Sequence, residues 1–140
     1  MERRKLPKLS ASTFYVKLEE TLEDIGFAPG VREICRPLYA DSAKGGRPGI
    51  DPAVYFKMLM IGFFENLPSE RAIASRCADS LSLRAFLGYG LDESTPEHSS
   101  LSVIRSRLGP EIFQQALELV LSGLYEYGLL KGGHLGIDSS

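Results

Sequence analysis

A serine-rich segment followed by two arginines carries the clearest chemistry in this sequence. Serine hydroxyls donate hydrogen bonds to phosphate oxygens, and guanidinium groups add positive charge and paired donors. The side chains of this kind are Ser99, Ser100, Ser102, Arg105 and Arg107. They favour contact with a phosphate backbone, although many small helical domains begin a helix with serine and carry arginine on a solvated face.

Carboxylates offer a second chemistry, the binding of a divalent cation. Asp92, Glu93 and Glu97 lie close together in the sequence, but acids just before a helix also follow from the helix dipole alone. Asp138 ends a short apolar segment, a common place for a metal-binding carboxylate, yet one carboxylate does not hold two metal ions. His98, beside the serines, is expected to be a surface or capping residue rather than a base.

The motifs of common enzymes are absent from the sequence. It has no glycine-rich phosphate loop after a strand, no pair of histidines at metal-binding spacing and no nucleophile elbow. A free-standing enzyme is therefore not expected.

Length, composition and charge describe one globular domain. The chain has 140 residues, of which 44% are hydrophobic, and a formal net charge of −2. The apolar content excludes wholesale disorder, and the near-neutral charge means that any contact with nucleic acid must be local. Positive charge gathers at residues 1–9, around Arg47 and between Arg71 and Arg107, although each cluster alone also fits a simple solvated face.

Nothing in the sequence predicts export or a membrane partner. The longest apolar stretch, residues 53–64, contains Lys57 and is too short to cross a bilayer. The first residues do not form a signal peptide, and Cys35 and Cys77 have no partners at metal-ligand spacing. We expect a cytoplasmic protein with two reduced, buried thiols.

The spacing of apolar residues predicts six or seven helices that position these side chains. Gly26 ends the first, Pro37 bends or ends the second, Asp51 and Ser69 cap two others, and Ser99 or Ser100 caps a further one. The predicted helices cover residues 12–25, 31–39, 52–64, 69–78, 81–87, 99–108 and, after Gly109-Pro110, a segment to about 127. Residues 40–49 are predicted to form a loop.

The segment 52–64 is apolar nearly all round, which predicts a helix in the middle of the core. The residues expected to pack on its several sides are Val54, Tyr55, Met58, Leu59, Ile61 and Phe63.

Three of the predicted helices, at 69–78, 81–87 and 99–108, follow one another closely. Such a succession is similar to a helix-turn-helix group, whose last helix presents its N-terminal residues to the major groove of DNA. In this arrangement Leu101, Ile104 and Leu108 face inward, and Ser102, Arg105 and Arg107 face solvent.

The last ten residues have a different pattern, which predicts a turn followed by a short strand at 134–138. A single strand cannot bury its apolar side chains by itself. Either this strand is unpaired, or the sequence is the N-terminal part of a longer protein.

Several motifs occur in order along the chain. They are Arg47-Pro-Gly-Ile-Asp-Pro and the apolar helix after it, Ser69-Glu-Arg-Ala-Ile-Ala, Leu81-Ser-Leu-Arg-Ala-Phe-Leu-Gly, and Thr95-Pro-Glu-His-Ser-Ser-Leu-Ser-Val-Ile-Arg-Ser-Arg-Leu-Gly. In this order they resemble the InsH-type amino-terminal domain of bacterial insertion-sequence transposases. The resemblance covers about residues 14–140.

The resemblance implies a fold, a partner and a cofactor. It implies an all-α domain at residues 1–130 that binds double-stranded DNA at the terminal inverted repeats of its element, with Arg47 and the basic N-terminus assisting. Residues 131–140 then resemble the first strand of an RNase H-like catalytic domain of the Asp-Asp-Glu type, in which Asp138 matches the first acid. The full-length family uses Mg²⁺, whereas this chain alone is expected to hold no cofactor.

The second Asp and the Glu of that triad have no counterpart in this sequence, so we expect no strand transfer by this chain alone. A decayed remnant, the first frame of a frameshifted element and a truncated product all fit this pattern. A homodimer or a complex with intact transposase is a further expected partner. The rival to DNA binding is a dimerisation or interdomain docking module, which exposed apolar surface on residues 113–127 would favour.

Overall fold

The computed structural model describes residues 10–40, 50–126 and 128, and the regular elements in this part of the chain are all helices, with no strand. The helices are α1 (Ser10–Asp24), α2 (Phe27–Ile34), α3 (Arg36–Ala40), α4 (Pro52–Glu65), α5 (Glu70–Ala78), α6 (Leu81–Leu87) and α7 (His98–Glu126). The predicted all-α class is confirmed, while the predicted strand at 134–138 lies outside the described residues. None of the described helices has the length and apolar character needed to cross a membrane.

Helix α4 is the centre of the core, as its composition predicts. It contacts α2, α5, α6 and α7, and its Phe56 ring lies 5.2 Å from Tyr55 and 5.6 Å from Phe113, measured between ring centroids. Its buried residues are Pro52, Ala53, Val54, Tyr55, Phe56, Met58, Met60, Ile61 and Gly62. The burial predicted for Phe63 is wrong, since this ring is 50% exposed, and Leu59 is only partly buried. Neighbouring helices surround the first ten residues of α4, but its last turn has one open side.

Side-chain caps begin the central helices where the sequence places them. The Asp51 carboxylate accepts a hydrogen bond from the Ala53 N–H at 3.0 Å, and Pro52 occupies the first helical position, where no N–H is needed. Ser69 accepts from the Ala72 N–H at 3.1 Å and begins α5 in the same way.

The segment predicted as one helix at 31–39 is two helices in the structure. Helix α2 begins earlier than predicted, at Phe27, and the break falls at Cys35 rather than at Pro37. Pro37 has no N–H and its ring would collide with the carbonyl four residues before it, so α2 cannot run through it. The end of α1 is as predicted, because Gly26 follows it in the left-handed conformation at φ 70°.

Two partly buried groups of polar contacts join the helices. The Lys57 ammonium, whose side chain is 12% exposed, lies 2.7 Å from Glu19 on α1 and donates to the Phe86 carbonyl on α6 at 2.8 Å. The Tyr15 hydroxyl donates to Glu65 at 2.9 Å, and Arg76 on α5 pairs with the same carboxylate at 2.6 Å. Each contact therefore fixes α4 against two neighbouring helices.

Both cysteines are buried and free, as predicted. Burial raises the pKa of the Cys35 thiol to about 11 and that of Cys77 to about 12. Both side chains are therefore neutral, packed thiols near neutral pH.

The carboxylate at the start of α4 makes the stability of the fold depend on pH. Burial raises the pKa of Asp51, but hydrogen bonds from Arg32, at 2.7 Å, and from Ala53 outweigh it and lower the pKa below its ordinary value. The stabilisation is therefore present above the unfolded pKa of about 3.9 and is lost as the pH falls through the lower folded value.

We expect the substitution Asp51→Ala to lower the free energy of unfolding by about 1 kcal/mol at neutral pH, the usual worth of such a cap. The deficit should shrink as the pH falls below about 3.9, where the wild-type carboxylate also becomes neutral. Urea unfolding at a series of pH values measures both effects. Asp79→Ala, at an exposed position, is the matched control and should change little; equal losses in both variants would contradict the assignment.

Candidate nucleic-acid interface

The three helices predicted to form a helix-turn-helix group are joined by a two-residue connection and by a longer loop at 88–97, and side-chain hydrogen bonds hold both. Residues 79–80 join α5 to α6, and Ser80 caps α6 by accepting from the Leu83 N–H at 3.1 Å. Gly88 ends α6 at φ 91°, in the left-handed region that glycine adopts without strain.

Arg84 holds the connection between α6 and α7 in place. Its guanidinium donates to the carbonyls of Ala78 at 3.2 Å, Gly90 at 3.1 Å and Glu93 at 2.7 Å. The Glu93 carboxylate also accepts from the Gly90 N–H at 2.6 Å. One side chain therefore ties the end of α5 and the first part of the loop at 88–97 to α6.

The start of α7 differs from the prediction. The helix begins at His98, and the Glu97 carbonyl accepts from the N–H groups of Ser100 at 2.9 Å and Leu101 at 3.3 Å. Ser99 and Ser100 therefore lie in the first turn rather than at the cap. Neither hydroxyl has a hydrogen-bond partner among the described residues, so both are available to a ligand.

The first part of α7 has one buried and one exposed side. Leu101, Ile104 and Leu108 are at most 3% exposed, which confirms the predicted inward face. Opposite them lies a surface that we call the α7 strip, formed by the exposed residues Ser99, Val103, Ser106 and Arg107. Arg107 forms no ion pair with the described residues, so its charge is free for a partner.

Two of the predicted contact residues bind an acid on a neighbouring helix. Arg105 donates to both Glu70 oxygens, from Nε at 2.8 Å and from Nη2 at 3.2 Å, and the Ser102 hydroxyl donates to Glu70 at 3.1 Å. The hydrogen bond from Arg105 lowers the pKa of Glu70, which keeps this carboxylate ionised. Glu70 is 35 positions from Arg105 in the chain, and no periodic pattern in the sequence indicates the contact.

The predicted contact residues thus lie on one helical segment, but they occupy two different sides of it. Arg105 and Arg107 are two positions apart, which places them about 160° apart around the helix axis. Ser102 lies beside Arg105 on the side of α5, whereas Ser99 and Arg107 lie on the α7 strip.

The remaining candidate residues, Arg47, Asp138 and the basic residues at 1–9, lie outside the described residues. Within residues 10–40 and 50–126 there is no cluster of three or more side chains able to hold a metal ion, so the acids at 92–97 do not converge on a cation site. The assembled chemistry in this part of the chain is that of serine hydroxyls, arginines and the first turn of a helix.

Comparison with known proteins gives one family. The sequence profile of the family described as Transposase domain (DUF772) matches residues 4–107, which includes α1 to α6 and the first part of α7 up to Arg107. No curated protein and no solved structure matches the chain. Since the matched region is well over half of the 140 residues, the chain belongs to this family of transposase domains.

Proposed function

We propose that this transposase domain binds double-stranded DNA at the terminal inverted repeats of its element, with the first part of α7 lying against the duplex. The α7 strip is the observation that carries the proposal. It combines the unpartnered hydroxyl of Ser99, in the first turn of the helix, with the unpaired Arg107, and the buried side of the same segment fixes its orientation.

The strip suits a nucleic acid because its side chains are small except for Arg107. Ser99 and Ser106 allow the helix backbone to approach a groove closely. The Ser99 hydroxyl, in the first turn, can donate to a phosphate oxygen, whereas the Ser106 hydroxyl donates to the Ser102 carbonyl at 3.1 Å. Val103, 47% exposed at the centre of the strip, offers an apolar surface to the methyl group of thymine.

The Glu70 carboxylate gives Ser102 and Arg105 a different role from Arg107. The pair of Glu70 and Arg105 is neutral overall, and its hydrogen bonds hold the guanidinium on the flank of α7 that faces α5. The Arg105 side chain is 58% exposed, which leaves donors on its outer edge for a phosphate. We therefore propose that Arg107 supplies net charge to the contact and that Arg105 supplies a positioned donor.

We expect Arg107→Ala to weaken DNA binding by roughly fivefold to tenfold at low salt and to reduce the slope of log K against log salt by about 0.9, as for the loss of one phosphate contact. Fluorescence anisotropy with a labelled duplex at several salt concentrations measures both. Arg36→Ala removes the same charge from α3, where Arg36 pairs with Glu33, and should leave the slope unchanged. Equal slopes for Arg107→Ala and the wild-type protein would refute the contact.

Recognition of the element ends is tested separately from DNA binding. The protein is titrated against a duplex carrying the terminal repeat and against a scrambled duplex of the same length. Tighter binding to the repeat, with a steep loss of affinity as salt rises, is the expected result. Equal affinity for the two duplexes would restrict the function to general DNA binding.

One observation favours the docking module as a second candidate function. On the second part of α7, Leu121 is 38% exposed and Tyr125, one turn later, is 57% exposed. These two side chains offer a small apolar surface to a second copy of the chain or to another domain of a transposase. A mass that rises with protein concentration in light scattering, and that falls in the variant Tyr125→Ser, would support this role.

A further inference from the structure

A cleft between α5 and the start of α7 lies beside the α7 strip, and nothing in the sequence motifs assigns it a role. It has a volume of about 390 Å³, and its lining includes Arg71, Ala74, Ser75, Thr95 and His98. Two residues of its wall on α5 are alanines at one-turn spacing, Ala74 and Ala78, so a bulky group can approach the helix backbone there.

The charge of this α5/α7 cleft is predominantly positive. Arg71 is exposed on α5, and no acceptor among the described residues contacts its guanidinium. Arg84 contributes a second cation, although its guanidinium is committed to backbone carbonyls. Glu97, exposed at the cleft, is the one acid among its lining residues.

Hydrogen-bond donors line the cleft next to this charge. Ser75 lies one turn after Arg71 on α5, and its hydroxyl is exposed. Thr95 is only 8% exposed, yet its side chain forms no hydrogen bond with the described residues. The first N–H groups of α7 have no carbonyl partner within the helix. They lie at the end of the cleft lined by His98, where they favour an anion.

We propose that the α5/α7 cleft binds a backbone phosphate of the DNA that the α7 strip contacts, with Arg71 as the charged donor and with Ser75 and Thr95 as hydroxyl donors. The inference rests on the proposed DNA binding and extends it from one helix to two. It follows that two helices contact the duplex, α5 through Arg71 and α7 through Arg107 of the strip.

The test compares salt slopes for a fluorescein-labelled duplex of mixed sequence. Arg71→Ala should reduce the slope by about 0.9, and the double variant Arg71→Ala with Arg107→Ala by about 1.8, because separate phosphate contacts add. Arg71→Lys retains the charge and should retain most of the slope. Arg36→Ala is the charge-matched control on another face.

A second measurement uses inorganic phosphate in place of DNA. In NMR titrations of the whole chain, phosphate should shift the amide signals of Ser75, His98 and Ser99, and Arg71→Ala should abolish these shifts. Shifts that persist in Arg71→Ala would overturn the assignment of Arg71.

The possible failures are distinguishable. If the wild-type protein binds no duplex at any salt concentration, both the proposed function and this inference fail. If Arg107→Ala lowers the slope and Arg71→Ala leaves it unchanged, the cleft assignment alone is overturned. Phosphate-dependent shifts without any effect of Arg71→Ala on the DNA slope would also overturn it, because the cleft would then bind a free anion rather than DNA.

Discussion

Replacing Phe56 with alanine is expected to lower the free energy of unfolding by about 3–5 kcal/mol, the usual cost of truncating a buried phenylalanine. The ring is 2% exposed and lies within 6 Å of both Tyr55 and Phe113. Its removal opens a cavity where α4 meets α7, and the helices around it cannot close that space without moving. Chemical denaturation followed by circular dichroism measures the loss.

The matched control is Phe63→Ala, which makes the same chemical change on the same helix. Because the Phe63 ring is 50% exposed and lies 5.3 Å from Phe64 at the end of α4, we expect this variant to lose less than half as much stability. Similar losses in the two variants would show that both rings are buried, contrary to the structure.

These two rings also show how far the sequence predicts the core. The composition of residues 52–64 predicts a helix surrounded by others, and this is confirmed. A helix that is apolar on every side has no period, however, so the sequence does not tell which of its rings lies at the open end. The burial of Phe56 and the exposure of Phe63 depend on how α2, α5, α6 and α7 are placed around α4.

The sequence predicts the starts of helices better than the contacts between them. Asp51 and Ser69 cap their helices by bonds to residues two or three positions away, so the sequence contains the whole signal. The same reasoning predicts the cap of α7 at Ser99 or Ser100, whereas the helix begins at His98 and the Glu97 carbonyl accepts its first hydrogen bonds.

The candidate interface shows the same division between local and distant signals. The serines and arginines of α7 are visible in the sequence, and so is the inward face of Leu101 and Ile104. The pairing of Arg105 with Glu70 is not, because it joins residues far apart in the chain. The sequence therefore predicts which side chains are near the surface, and the fold decides which of their charges remain unpaired.

The break within α7 at Gly109 is the second position at which we expect a large effect on stability. It also determines the orientation of the α7 strip. Gly109 has φ 71° and ψ 161°, a conformation that is essentially restricted to glycine. Pro110 follows, and a proline favours an extended ψ in the residue before it. The two parts of α7 can therefore bury separate faces, Leu101 and Leu108 before the break and Val120 after it.

We expect Gly109→Ala to lower the free energy of unfolding by about 2–3 kcal/mol, since alanine either adopts the strained conformation or straightens the helix. A straight helix would withdraw one of the two buried faces from the core. Both the strained and the straightened helix are therefore less stable than the wild type. Gly90→Ala is the matched control, because Gly90 is exposed, has no positive φ and would place a Cβ at an ordinary 3.4 Å from its neighbours. Urea unfolding of both variants measures the difference. Equal stability of the two would mean that α7 does not need the break, and the α7 strip would then lack the fixed orientation on which its proposed contact with DNA depends.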